Sequence, residues 1–121
     1  MKEIFLNKAI ENLKSAELLF ENSFYNASTN RAYYASFHLA IAAIYSIGII
    51  PSIDHKTIQS LFSENYFNRR KIVPSKYKGY LATMQDNRNS ADYKDGVSKR
   101  IAKQQIKDAN EFFFVINELI K

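Results

Sequence analysis

Two short stretches of this 121-residue chain gather residue types able to handle protons and phosphates. The first is Asn30-Arg31-Ala32-Tyr33-Tyr34-Ala35-Ser36-Phe37-His38, and the second is Arg88-Asn89-Ser90-Ala91-Asp92-Tyr93. Histidine titrates near neutrality and can move a proton to or from an oxygen, while arginine offers a planar fork of donors that fits a phosphate. Arg31 and His38 are separated by six residues, so on a helix they share a face about 10 Å apart along the axis. Arg88 and Asp92 stand at i and i+4, where an ordinary intrahelical ion pair also accounts for them. Likewise, tyrosine and histidine at the head of an apolar helix either build a hydrogen-bonded polar core or present a site.

Other chemistries are excluded by what is missing. Neither His38 nor His55 has a glutamate three residues before it, so the paired Glu-x-x-His motif of a di-iron bundle is absent. The chain has no Gly-x-x-x-x-Gly-Lys loop, no dinucleotide fingerprint and no His-Glu-x-x-His zinc helix. It has no cysteine, which removes thiol nucleophiles, disulfides and Cys-ligated zinc. The residue set calls for no metal and no cofactor.

The elements that must position these residues read as helices. Apolar side chains at Leu6, Ala9, Leu13, Ala16 and Phe20 form one stripe of a helix over 3–22. Asn26 or Ser28 is the expected cap of a second helix that ends near Ile47, before Gly48 and Pro51. This helix is apolar nearly all round, so it belongs at the centre of a bundle. Ser52 or Asp54 caps a third helix over 55–68, which ends on the cations Arg69-Arg70-Lys71. Pro74 opens a fourth over about 75–93, with Tyr77, Leu81 and Met84, or Tyr80 and Met84, inward. Asp95-Gly96 makes a turn, and a last helix over 98–120 carries the stripe Ala102, Ile106, Ala109, Phe113, Ile116 and Ile120. The expected fold is all-α, an antiparallel four- to five-helix bundle forming one domain over 1–121.

Composition agrees. The chain is 46% hydrophobic and 14% aromatic, too rich for disorder, and three Gly and two Pro are too few for the turns of a β-sandwich. No signal peptide is expected, because the chain reaches Glu11 without a long apolar run, and its most apolar run, 39–50, is twelve residues against about 20 for a membrane span. A cytoplasmic protein with no membrane association is expected. The net charge of +5 is confined to residues 61–121, because residues 1–60 carry five basic and five acidic side chains. Arg100, Lys103 and Lys107 stack one turn apart as a basic ridge; with Arg69, Arg70 and Lys71 they are expected to form one electropositive surface. Such a field attracts polyanions, RNA among them.

Four features in order resemble the HEPN family, in its compact single-domain prokaryotic branch. They are Ala9-Ile10-Glu11-Asn12-Leu13-Lys14-Ser15-Ala16; Asn30-Arg31-Ala32-Tyr33-Tyr34-Ala35 leading to Phe37-His38; His55 at the head of a helix with Leu61-Phe62; and Arg88 with Ala91-Asp92-Tyr93 before the final helix. The resemblance implies a bundle that dimerises and a place in toxin–antitoxin or defence systems, often beside a minimal nucleotidyltransferase. Catalytic members are metal-independent ribonucleases that use Arg, four to six residues, then His. Here those positions after Arg88 hold Tyr93, Lys94 and Asp95. The expectation is a domain with a degenerate ribonuclease motif that binds RNA or a nucleotide. The alternatives are an active metal-independent ribonuclease toxin and a pure protein-interaction partner. Candidate catalytic residues are Arg88, Tyr93 and His38. Candidate RNA or nucleotide contacts are Arg31, Tyr34, Arg88, Asp92, Arg100, Lys103 and Lys107. The expected partners are a second copy of the chain and a nucleotidyltransferase.

Overall fold

The computed structural model describes residues 1–69 and 73–121, except the side chain of Arg69. Among them the elements are α1 (Lys2–Glu21), α2 (Tyr25–Ser46), α3 (His55–Ser63), α4 (Tyr80–Tyr93) and α5 (Lys99–Ile120), with no strand. A π-helical segment, Glu64–Arg69, continues α3, and a short 3-10 turn, Ser75–Tyr77, precedes α4. The expected all-α bundle is therefore the observed architecture. The cationic helix end expected at Arg69-Arg70-Lys71 lies outside the described residues, and so does that part of the expected basic surface.

Helix α2 is the axis of the molecule, and the other four helices pack around it. Ala32, Leu39, Ala40, Ile41, Ala42, Ala43 and Ile44 are all fully buried, as its all-round apolarity predicts. Small residues on α1 bring it close: Ala9 and Ala16 are fully buried, and the Ser28 hydroxyl donates to the Ala16 carbonyl at 2.7 Å. Both α1 and α2 end in the same way. Ser23 (φ 66) and Gly48 (φ 84) take the left-handed conformation. The next amide then reaches back five residues, Phe24 N to Leu19 O and Ile49 N to Ile44 O.

Three local expectations are corrected, and the expected choice of cap for α3 is settled. The turn at Ser23 hands the chain directly into α2, so the helix starts at Tyr25 and neither Asn26 nor Ser28 caps it. Asn26 instead accepts a bond from the Val97 amide at 2.8 Å, tying the start of α2 to the loop before α5. At α3 the cap is Asp54, which accepts from Thr57 N at 2.8 Å. Its helix also changes register after Ser63, where the π-helical segment lets the Tyr66 hydroxyl reach the Ala43 carbonyl at 2.7 Å. Pro74 opens only the 3-10 turn, and α4 begins at Tyr80 after Gly79.

Helix α5 buries Ala102, Ala109, Ile116 and Ile120 of the expected stripe and departs from it at two positions. Gln105 and Phe112 are buried, while Ile106 and Phe113 are only half-buried. Burial of Gln105 costs little because its amide donates to Thr29 O and Met84 O, and its carbonyl accepts from Asn87. One side chain thereby joins α2, α4 and α5.

Candidate functional site

The side of α2 that carries Asn30, Arg31, Tyr34 and His38 lies away from α5. At 100° per residue, Tyr34 is about 140° around the helix from Thr29, whose backbone meets Gln105. Here the head of α3, the second half of α4 and the middle of α1 converge on α2.

Tyr34 is the hub. The Arg31 guanidinium lies 5.0 Å and the Arg88 guanidinium 5.3 Å from its ring centre. His38 and His55 stand 6.1 and 6.0 Å away, centre to centre. Arg88 donates from Nη2 to the Tyr34 hydroxyl at 2.6 Å, a charge-assisted bond that fastens α4 to α2. Two guanidinium and two imidazole groups, drawn from three helices, thus surround one aromatic ring.

A chain of side-chain amides holds this arrangement. Arg31 donates from Nη1 to Asn12 Oδ1 at 3.0 Å and from Nε to Asn30 Oδ1 at 2.8 Å. Asn12 Nδ2 lies 3.3 Å from His38 Nδ1, so one residue of α1 touches both Arg31 and His38. Asn30 Nδ2 donates to Asp92 Oδ2 at 2.7 Å. That carboxylate also faces Arg88 Nε at 3.2 Å. The Nε–H is buried and not aimed at an acceptor, so this pair is an electrostatic contact rather than a hydrogen bond. The expected Arg88–Asp92 ion pair is present, and it is one part of a larger network.

At the other end, Tyr33 and His55 Nδ1 are 2.7 Å apart. Burial, above all, pushes the Tyr33 hydroxyl up to about 12, so it keeps its proton. Gln59 Nε2 also donates to the Tyr33 oxygen at 3.4 Å, so Tyr33 links His55 to the next turn of α3. Both imidazoles are held below the usual histidine value. For His38 the causes are burial and then the cations Lys8 and Arg31; for His55 they are burial and then Arg88. Each is therefore neutral at pH 7.

This depression has a consequence for stability. A histidine whose pKa is lowered in the fold binds fewer protons there than in the unfolded chain once pH falls below the reference 6.5. Folding stability should therefore fall as pH drops from 6.5 through the lowered values. In thermal melts between pH 7.5 and 5, His38→Gln should flatten part of that decline. An unchanged pH profile in this variant would show that His38 is not held neutral by its surroundings.

The sequence-derived candidates divide into two groups. Arg31, Tyr34, His38, Arg88 and Asp92 are brought together. Tyr93 stands at the border: its ring lies 5.5 Å from the Arg88 guanidinium, but it is 73% exposed. Arg100, Lys103 and Lys107 are exposed on α5, and Lys103 borders a groove formed with Glu17, Phe20 and Glu21 of α1. The ridge is thus a separate surface with acidic neighbours. Residues the sequence reading passed over are Asn12, Gln59 and Gln85. Asn12 had a signal: it sits inside the buried stripe of α1, three residues after Ala9 and four before Ala16. No three His, Asp or Glu side chains are grouped to hold a metal ion among the described residues. No helix among them is long and apolar enough to cross a membrane.

Comparison with known proteins assigns the chain to a family. The family model described as HEPN domain matches residues 3–119. A relative from Methanocaldococcus jannaschii, named "Putative toxin MJ0605", is 32% identical over 114 residues, which are 93% of this chain and 84% of that protein.

Proposed function

Because the chain belongs to the HEPN domain family, matched over residues 3–119, we propose that it is a toxin-type member that binds RNA or a nucleotide through phosphate at the Tyr34-centred cluster. One observation carries this reading: Arg31, Arg88, His38 and His55 all lie within about 6 Å of a single tyrosine ring. Guanidinium forks suit phosphate oxygens, and a neutral imidazole carries one ring N–H that can add a donor. The name of the archaeal relative supports the toxin assignment. In such a system the partners are a second copy of this chain and a nucleotidyltransferase that restrains it. Large apolar side chains left on the surface, Phe114 at 68% exposure and Phe24 at 60%, support an association.

A second reading, metal-independent RNA cleavage, is favoured by the two neutral imidazoles beside the arginines. His38 and His55 take the place of the histidine missing after Arg88. Cleavage of single-stranded RNA in the presence of a chelator, lost in His55→Gln, would establish it.

The binding reading is tested by titrating single-stranded RNA from 50 to 200 mM salt. Affinity should fall steeply as salt rises, because each neutralised phosphate releases counterions. Lys103→Ala with Lys107→Ala should weaken all RNAs alike and reduce the slope, since ridge lysines contact only the backbone. Absence of any RNA or nucleotide binding at low salt would refute the reading and leave the protein-interaction role.

A further inference from the structure

Helices α3 and α4 both pack on α2 and leave a cleft of about 260 Å³ between them. Its floor is Phe62, Tyr77 and Leu81, and its rim carries Gln59, Ser60 and Lys78. Apolar walls with a few placed polar groups are the usual make-up of a small-molecule site, and this volume suits a small ligand.

The cleft adjoins the cluster described above through Gln59, which lines it and touches the Tyr33 hydroxyl. On α4, Leu81, Gln85, Arg88 and Asp92 follow one another at spacings of 4, 3 and 4, so they share a face. On the antiparallel α3, His55, Gln59 and Phe62 repeat this spacing in the opposite direction. The link is a pair of amides: Gln59 Nε2 donates to Gln85 Oε1 at 2.6 Å, and Gln59 also touches the Tyr33 hydroxyl that holds His55. With that bond made, Gln59 keeps its carbonyl oxygen as an acceptor and Gln85 keeps its amide donors. From Leu81 to Arg88 is about 10 Å along the helix, comparable to a 5′-nucleotide measured from phosphate to base edge.

We propose that the α3–α4 cleft is a nucleobase subsite: the base of a nucleotide lies over Phe62, Tyr77 and Leu81 with its polar edge on Gln59 and Gln85, while its phosphate lies against Arg88 and His55. The inference rests on the phosphate-binding reading and adds which part of the ligand the protein tells apart. A donor and an acceptor side by side match the hydrogen-bonding edge of a base, which a sugar phosphate lacks.

The test compares the four 5′-ribonucleoside monophosphates with ribose 5-phosphate on the full chain. At least one nucleotide should bind about tenfold or more tightly than ribose 5-phosphate. The side-chain amide resonances of Gln59 and Gln85 should move with that nucleotide and stay in place with ribose 5-phosphate. Ala82, an exposed residue of the cleft wall, is the position to block. Ala82→Trp should remove the preference for the nucleotide while leaving ribose 5-phosphate binding and the melting midpoint unchanged. Equal binding of nucleotide and ribose 5-phosphate by the wild type, or a preference that survives Ala82→Trp, would overturn the subsite and leave the phosphate reading standing. Binding of neither ligand would overturn both. The wild-type amide resonances decide the matter even if the tryptophan variant does not fold.

Discussion

Arg88→Ala should reduce affinity for a mononucleotide by tenfold or more while leaving affinity for long RNA within a few-fold of wild type. The guanidinium is the residue that α4 contributes to the Tyr34 cluster, and its side chain is only 12% exposed. Binding there depends on one fixed fork of donors, whereas long RNA also engages the exposed lysines of α5. The variant should also lose about 1–3 kcal/mol of stability, because the Tyr34 hydroxyl and the Asp92 carboxylate each lose a partner. Asp92→Ala provides the contrast. It removes the competing carboxylate but keeps the Arg88–Tyr34 bond, so nucleotide binding should persist or tighten. Equal losses of melting temperature in the two variants, with no change in any binding, would mean that Arg88 serves only as Asp92's ion-pair partner.

Ile44→Asp should have the largest effect on folding. Ile44 is fully buried on α2, the helix against which all the others pack. A carboxylate there has no cation to pair with, and an uncompensated buried charge costs about 3–5 kcal/mol. That is much of the ~5–15 kcal/mol by which a domain is typically stable. Phe114→Ser, at a side chain 68% exposed, should by comparison shift the midpoint little. A melting temperature for Ile44→Asp equal to wild type would contradict the central position of α2.

The number and order of the helices were legible in the sequence, because hydrophobic periodicity is a local signal and α2 carries it on every side. What escaped depends on contacts between helices. Most of the α5 stripe was legible, but Ile106 was named in place of Gln105 because glutamine reads as a surface residue. Gln105 is buried because it meets two carbonyls on other helices. The π-helical register after Ser63 accompanies the bond from Tyr66 to Ala43, which no local pattern encodes. At the site, Arg31, Tyr34 and His38 were legible together because they share one helix. The bridges through Asn12 and Asn30 were not, because each closes only when the chain folds back. Net charge pointed to Arg100, Lys103 and Lys107, but a charge count says nothing about which side of a bundle a ridge occupies.

For a mononucleotide, the Tyr34 cluster and not the basic ridge is expected to hold the phosphate. The most direct measurement follows the side-chain nitrogen resonances of Arg88, His55 and His38 by NMR as a 5′-mononucleotide is added. Saturable shifts are expected at the Arg88 guanidinium and the His55 ring, with midpoints matching the affinity and little movement at the Lys103 and Lys107 ammonium groups. Shifts confined to Lys103 and Lys107, with the cluster resonances unmoved at saturation, would contradict it.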